Sequence, residues 1–183
     1  LILTLLTLTI AAQTPTLHSP LWPSGAINDH GDPNDAAEIF VYQPAKNNNS
    51  GRAVVICPGG GYSHLAMQHE GHQWAEFFQG QGMTAVVLKY RMPNGKPEVP
   101  IADAEQAIRL VRANAEPWGV KTDQVGIMGF SAGGHLAATI ATQSRGDAQP
   151  NFQILFYPVI SMLEGITHQG SLNSFLGKGA SKK

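Results

Sequence analysis

Short uninterrupted apolar runs, separated by stretches with helical spacing, dominate the middle of this sequence. Four of them are Ala53 to Cys57, Ala85 to Leu88, Val125 to Phe130 and Ile154 to Tyr157. Each run lacks the alternation of a half-exposed strand, so each predicts a strand that is covered on both faces of a sheet. A partly alternating segment, Glu38 to Tyr42, predicts a further strand ahead of them.

The segments between these strands have the apolar spacing of amphipathic helices. One helix places its apolar residues three or four positions apart, on a single face: Ile101, Ala104, Ile108, Val111 and Ala115. Pro100 suits its first turn, Asp103 suits its positive end, and Pro117 is expected to stop it. A shorter helix is predicted from His72 to Gln79. Strands that alternate with helices predict an α/β fold, with a mainly parallel sheet flanked by helices.

The beginning of the chain differs from its centre. It reads LILTLLTLTI, followed by Ala11 and Ala12, and is too short for a bilayer span, which needs about 20 apolar residues. The run is typical of a secretory signal peptide that lacks its charged leader, which predicts a secreted or periplasmic protein. A hydrophobic first strand is the alternative. We therefore divide the chain into a signal-peptide remnant (1–12), an extended lead-in (13–35) and one domain (36–183).

Composition and charge narrow the classes of function. The 183 residues include 12 Lys and Arg against 13 Asp and Glu. This near-neutral balance argues against a nucleic-acid partner, which requires a basic surface. The single cysteine, Cys57, excludes a disulfide framework and a multi-cysteine zinc site. Because Cys57 ends an apolar run, we expect it to be a small buried side chain.

The segment Gly129 to Gly133 has the pattern G-x-S-x-G and lies between a predicted strand and a predicted helix. A nucleophile elbow requires this setting, since its strained turn tolerates only small neighbours of the serine. Glycine at both ends of the pattern lets the helix approach the adjoining strand. The serine hydroxyl then projects from the carboxyl edge of the sheet, beside the positive end of a helix. Ser131 is therefore the candidate catalytic nucleophile.

A glycine-rich loop follows another of the predicted strands. Pro58 precedes three consecutive glycines, whose amides can face an anion without interference from side chains. No Lys-Ser or Lys-Thr pair follows, as a phosphate-binding P-loop would need. We expect the amides of Gly60, Gly61 and Ala132 to form an oxyanion hole for a reaction at Ser131.

Four stretches together resemble α/β-hydrolase esterases: PGGGY, LKYR, DAEQAIRLVR and GIMGFSAGGHLAATIAT. The resemblance covers roughly residues 35–177 and points to secreted bacterial carboxylesterases of the feruloyl and acetyl-xylan esterase type. It implies hydrolysis of a small-molecule or polysaccharide-linked carboxylic ester, such as acetyl or feruloyl groups on plant polysaccharide. No cofactor is implied, because acyl transfer through a serine needs none.

A serine hydroxyl becomes nucleophilic only when a histidine removes its proton and a carboxylate orients that histidine. In this fold the acid and then the histidine follow the serine along the chain. After Ser131 the carboxylates are Asp147 and Glu164, and the one late histidine is His168. No later apolar run could supply the strands that carry the acid and the base in similar hydrolases. We therefore expect both groups beyond Lys183, with the chain truncated before the last strands and His168 on a loop over the site.

Other histidines invite a metal or catalytic interpretation. His135 follows the serine in the same predicted helix, where we expect it to pack rather than act as a base. His64, His69, Glu70 and His72 cluster along the chain, but their spacing is not H-E-x-x-H. We predict a polar loop there and no metal site.

Two alternative functions remain open at this stage. A peptidase or a dienelactone-type hydrolase of the same fold would share the elbow, because specificity resides in other loops. A non-catalytic module that binds carbohydrate or a partner protein would explain the lack of an acid and a base. An intact elbow beside an intact glycine loop argues against the second alternative, since binding alone needs neither.

Overall fold

The computed structural model describes residues 14–28, 32 and 34–180. The predicted signal-peptide remnant, residues 1–12, lies outside them, so it stays a prediction. Within the described ranges, no helix combines the length and the apolar character that a membrane crossing requires.

One six-stranded sheet and five α-helices make up the described part of the chain. The strands are β1 (Leu17–Pro20), β2 (Glu38–Tyr42), β3 (Ala53–Cys57), β4 (Thr84–Lys89), β5 (Val125–Phe130) and β6 (Phe152–Phe156). The helices are α1 (Gln73–Gly80), α2 (Glu98–Ala113), α3 (Ala115–Trp118), α4 (Ser131–Gln143) and α5 (Gln169–Leu176). The strand order is β1-β2-β4-β3-β5-β6. Strand β2 pairs antiparallel with both β1 and β4, and the pairs β4–β3, β3–β5 and β5–β6 are parallel. The predicted α/β fold with a mainly parallel sheet is confirmed.

All five strands expected from the sequence are present, and two have other bounds. β4 is one residue longer at each end, and β6 spans Phe152–Phe156 where the sequence predicted Ile154 to Tyr157. Strand β1 lies within the lead-in and was not predicted, because an exposed edge strand needs no apolar run. Helix α5 was not predicted either, and it follows the loop after β6.

The prediction that Pro117 stops the long helix is wrong. Helix α2 ends at Ala113, and Pro117 lies in the following short helix α3. Since α3 begins at Ala115, Pro117 occupies its first turn, where a missing amide hydrogen is harmless. Gly119 closes α3 in the left-handed conformation, with a φ of 63°.

Alternate residues of the central strands face two hydrophobic cores. One core lies under α2 and α4 and the other under α1. The strand residues of the first include Val55, Val86 and Ile127, and those of the second include Val54, Val87 and Met128. Each fully buried aliphatic side chain contributes about 1.5–3 kcal/mol of transfer free energy. Cys57 is buried as predicted, and burial raises the pKa of its thiol.

The register of the central strands positions the candidate site. Strand β3 pairs in parallel with β5, and Cys57 stands opposite Gly129. The loop after β3 and the turn after β5 therefore begin side by side at the carboxyl edge of the sheet. Ligands of parallel sheets bind at this edge.

Asp103, which the sequence placed at the positive end of the long helix, lies in the second turn of α2 and takes part in a buried network. It is fully buried and accepts three kinds of hydrogen bond. The Arg91 guanidinium donates through Nη2 at 2.7 Å, the Arg91 backbone amide donates at 2.9 Å, and the Trp22 indole donates at 2.7 Å. Arg91 also donates to the Ile27 carbonyl oxygen at 3.0 Å. This network attaches the lead-in to α2 and to the segment that follows β4.

Candidate active site

Ser131 lies at the junction of β5 and α4 in a strained backbone conformation. Its φ of 49° is in the left-handed region, which non-glycine residues rarely adopt. The glycines on either side leave room for the junction. A Cβ on Gly129 would lie 2.1 Å from the Gly133 carbonyl oxygen, and one on Gly133 would lie 2.1 Å from the Cys57 carbonyl oxygen. The predicted close approach of helix and strand is confirmed.

The glycine-rich loop after β3 carries two amides that have no acceptor among the described residues. Gly60 and Gly61 have positive φ values of 137° and 65°. The Gly59 amide donates to Glu70 Oε2 at 2.7 Å, whereas those of Gly60 and Gly61 donate to no acceptor among the described residues. The amide of Ala132 lies in the first turn of α4, where amides have no carbonyl partner within the helix. These amides have the hydrogen-bonding capacity that an oxyanion requires.

Aromatic side chains support the glycine-rich loop from below. The buried Tyr90 hydroxyl donates to the Pro58 carbonyl oxygen at 2.7 Å. The Tyr62 hydroxyl lies 2.8 Å from Nδ1 of His135, and Phe175 packs against both of those rings. Burial lowers the pKa of His135 to about 4, so its ring is neutral at pH 7. His135 therefore packs beneath the loop, as predicted.

Ser131 lines a cavity of about 660 Å³ at the carboxyl edge of the sheet. The walls come from the glycine-rich loop and the segment after it, from the loop after β6 and from the start of α5. Hydroxyl and imidazole groups line it beside Ser131: Ser63, His64, His69, His168 and Ser174. The cavity therefore offers hydrogen-bonding groups to a polar ligand.

A second cavity lies far from Ser131. It measures about 560 Å³, and Lys46, Glu116 and Trp118 are among its lining residues. These residues belong to the edge of the sheet at which β3 and β5 begin. Because parallel α/β sheets bind ligands at the opposite edge, the cavity beside Ser131 is the candidate active site.

The residues His64, His69, Glu70 and His72 do not converge. No group of three or more His, Cys, Asp or Glu side chains in the described part of the chain is arranged to hold a metal ion. His72 lies 2.9 Å from the Tyr42 hydroxyl, behind the site, while His64 and His69 line the cavity. Glu70 binds the backbone of the glycine-rich loop. The four residues therefore serve three separate roles.

No described histidine is hydrogen-bonded to the Ser131 hydroxyl, since those with ring hydrogen bonds have other partners. Asp147 precedes β6 at the far edge of the sheet, where it accepts from Arg109 Nε at 3.1 Å. Glu164 is exposed on the loop after β6. The structure brings neither carboxylate to a histidine beside Ser131.

His168 immediately precedes helix α5 and caps its first turn, whereas the sequence predicted only a loop at this position. Its Nδ1 accepts from the backbone amide of Ser171 at 3.2 Å and lies 2.9 Å from the Ser171 hydroxyl. A ring nitrogen that accepts a hydrogen bond carries no proton, so the neutral ring has its proton on Nε2. A general base would need Nε2 free of a proton. In this arrangement His168 is a capping residue on the cavity wall and not the base for Ser131.

Replacing His168 by alanine is expected to lower the free energy of unfolding by about 0.5–2 kcal/mol, because the first turn of α5 loses its cap. If Ser131 is the nucleophile, its labelling by a fluorophosphonate in the protein of full natural length should be unchanged. His168→Asn is the matched control, since asparagine is a strong capping residue and should retain stability. Urea unfolding and probe labelling are the two measurements. Loss of labelling in both variants at unchanged stability would instead identify His168 as the base.

Glu70 and Tyr157 are site residues that the sequence did not reveal. The Tyr157 hydroxyl donates to Glu70 Oε1 at 2.6 Å, across 87 positions of sequence. Tyr157 also has a left-handed φ of 34°. No motif joins the two residues, and only the parallel pairing of β5 with β6 brings the loop after β6 beside the glycine-rich loop.

Comparisons of sequence relate this chain to known hydrolases. The BD-FAE family profile matches residues 39–159. An acetylxylan esterase from Xylanibacter ruminicola is 49% identical over 142 residues, which are 78% of this chain and 29% of the esterase. Endo-1,4-beta-xylanase B from Butyrivibrio fibrisolvens is 30% identical over 173 residues, which are 86% of this chain and 27% of the xylanase. The chain spans less than a third of the length of either relative.

Solved structures give a consistent picture. The acetyl ester-xyloside bifunctional hydrolase from Caldicellulosiruptor lactoaceticus has a TM-score of 0.79 at 31% identity, covering 90% of this chain and 65% of that one. Esterase 2 from Thermogutta terrifontis, phosphoramylated by tabun, has a TM-score of 0.64 at 32% identity, covering 80% and 59%. Both likenesses extend over most of the sheet and helices described above.

Proposed function

Because the chain belongs to the BD-FAE family within the α/β-hydrolase superfamily, we propose that the protein is a serine hydrolase that cleaves carboxylic esters through an acyl-enzyme on Ser131. One observation carries the proposal. Ser131 has the strained φ of 49° of a nucleophile elbow and lies beside a glycine-rich loop in which the Gly60 and Gly61 amides have no acceptor among the described residues. Strain of this kind is retained where function requires it.

In the proposed reaction Ser131 Oγ forms a bond to the ester carbonyl carbon, and the carbonyl oxygen becomes an oxyanion. The amides of Gly60, Gly61 and Ala132 donate to that oxyanion, each contributing about 2.7–4 kcal/mol to stabilisation of the transition state. The bond to the alcohol oxygen then breaks, the alcohol leaves with the proton taken from Ser131, and an acyl-enzyme remains. Water attacks the acyl-enzyme and releases the carboxylic acid.

The histidine that accepts the Ser131 proton and the carboxylate that orients it lie outside the described residues. Two observations support this part of the proposal. His168 uses Nδ1 to cap α5, and His135 is bonded to Tyr62 beneath the glycine-rich loop. In the two relatives, the stretch shared with this chain is less than a third of the length.

The proposed substrate is an acetyl ester on a plant polysaccharide. The Xylanibacter ruminicola relative is an acetylxylan esterase, and the Caldicellulosiruptor lactoaceticus neighbour is an acetyl ester-xyloside hydrolase. The hydroxyl and imidazole groups that line the cavity are suited to a sugar, which is rich in hydroxyls. A feruloyl ester is the second substrate that this lining would accept.

A fluorophosphonate probe is expected to label Ser131 in the protein of full natural length, because an activated serine attacks phosphorus as it attacks an ester carbonyl. The Thermogutta terrifontis esterase provides a precedent, since tabun modifies it. Ser131→Ala should abolish labelling, and mass spectrometry of the peptide that contains the elbow identifies the labelled residue. An unlabelled protein would favour a non-catalytic binding module. Labelling combined with cleavage of amides and no cleavage of esters would favour a peptidase.

A further inference from the structure

Glu70 occupies a position between the two loops that flank Ser131. It lies in a single π-helical turn, Gln68–His72, immediately before α1. Such turns are rare and often mark functional sites. One carboxylate oxygen accepts from the Gly59 amide at 2.7 Å, and the other accepts from the Tyr157 hydroxyl at 2.6 Å. Both distances are typical of hydrogen bonds to an ionised carboxylate.

Both backbone groups of Gly59 are hydrogen-bonded. While its amide donates to Glu70, its carbonyl oxygen accepts from the Ala66 amide at 2.9 Å. A Cβ on Gly59 would lie 2.7 Å from Glu70 Oε2, 2.7 Å from the Phe130 carbonyl oxygen and 3.1 Å from the Cβ of Ser131. Gly59 is therefore enclosed between the Glu70 carboxylate and the elbow.

The contact with Tyr157 supports the other side of the elbow. Two residues further along, the Val159 amide donates to the Ser131 carbonyl oxygen at 3.0 Å. Pro158, between them, packs against Gly134 of α4, where an added Cβ would lie 2.8 Å from the proline side chain. The hydrogen bond to Glu70, together with partial burial, raises the pKa of Tyr157 to about 12, so the phenol keeps its proton at neutral pH.

From these contacts we infer that Glu70 is a positioning residue, which holds the glycine-rich loop and the loop after β6 at fixed places on either side of Ser131. The inference rests on the proposed function of that site. Because the Gly59 amide is bound to Glu70, only the next two glycine amides remain for the oxyanion. Glu70 acts through Gly59 and Tyr157 and touches no reacting atom.

The test compares variants in the protein of full natural length. Glu70→Leu removes both acceptors and should lower kcat for ester hydrolysis by about 100-fold, comparable with loss of one oxyanion donor. KM should stay close to its original value, since the oxyanion exists only in the transition state. Glu70→Gln retains an acceptor for the Gly59 amide and a donor for the Tyr157 oxygen, so its kcat should lie between those of wild type and Glu70→Leu.

Two further variants complete the series. Tyr157→Phe loses one of the two hydrogen bonds and should lower kcat by about 3–10-fold, as expected for the net contribution of one exposed hydrogen bond. The combination of Glu70→Leu with Tyr157→Phe should lower kcat no further than Glu70→Leu alone. Glu116→Gln is the matched control, because this exposed carboxylate lies at the opposite edge of the sheet. It should leave kcat and KM unchanged.

The outcomes separate this inference from the proposed function. Wild-type kcat in a folded Glu70→Leu variant, or an effect on KM alone, would overturn the positioning role while leaving Ser131 as the nucleophile. If Glu70→Leu fails to fold, Glu70→Gln and Tyr157→Phe decide the question in the same way. If the wild-type protein hydrolyses no ester, the proposed function fails. In that case hydrogen exchange decides: faster exchange of the Gly59–Gly61 amides in Glu70→Gln supports the positioning role, and unchanged exchange overturns it.

Discussion

Replacing Ser131 by alanine is expected to lower kcat for release of acetate from acetylated xylan by about a million-fold in the protein of full natural length. The reason is that the proposed acyl-enzyme forms on the Ser131 hydroxyl, which alanine lacks. The amides of Gly60, Gly61 and Ala132 would still stabilise an oxyanion produced by water, so a small rate above the uncatalysed reaction should remain. KM should change little, because the cavity keeps its other walls. Steady-state assays of acetate release measure both parameters.

The control for this variant is Ser24→Ala, which removes an exposed hydroxyl from the lead-in. It should retain the wild-type kcat. Retention of hydrolysis in Ser131→Ala would show that another residue is the nucleophile. Release of ferulate from a feruloylated substrate, without release of acetate, would change the substrate class and leave the role of Ser131 intact.

Replacing Asp103 by alanine is expected to lower the free energy of unfolding by about 3–5 kcal/mol, because it leaves the buried guanidinium of Arg91 without its carboxylate. Arg91 and Asp103 are both buried, and the Trp22 indole loses its acceptor at the same time. A change of this size is a large fraction of the about 5–15 kcal/mol that stabilises a typical domain. Urea unfolding followed by circular dichroism gives the value.

A matched control exists on the surface. Asp147 pairs with Arg109 through a similar hydrogen bond of 3.1 Å, but its side chain is 71% exposed. Asp147→Ala should therefore lower the free energy of unfolding by about 0–1 kcal/mol, which is the usual contribution of an exposed ion pair. Equal losses of unfolding free energy in the two variants would mean that burial of Arg91 does not determine how much the ion pair contributes to stability. The sequence alone could not predict which of these two aspartates contributes more to stability.

Apolar patterning identified the strands that build the sheet because β3, β4 and β5 are buried on both faces. The G-x-S-x-G pattern between a strand and a helix was likewise sufficient to locate the elbow at Ser131. Strand β1 and helix α5 escaped prediction, since β1 is an exposed edge strand and α5 is a single short helix after a long loop. Local patterns predict buried strands and tight turns well, and they predict exposed helices and strands poorly.

Contacts between distant segments could not be predicted from local patterns. Asp103 was interpreted through its place in a helix, yet its partners come from the segment after β4 and from the lead-in. His168 was assigned to a loop, yet it caps a helix through its ring. Glu70 was considered only as a member of a histidine-rich cluster. In all three cases the partner is fixed by how the strands pair and how the loops pack, which one sequence does not reveal.

The absence of side chains at Gly129 and Gly133 sets the limits within which this site can be redesigned. Backbone of β5, α4 and the end of β3 meets there with no space for a single added carbon atom. A library that alters substrate preference should therefore leave both glycines constant and vary exposed wall positions such as Ser63 and His64. Diversity at the glycines would mainly yield misfolded clones, whereas diversity on the wall would sample new specificities on an intact scaffold.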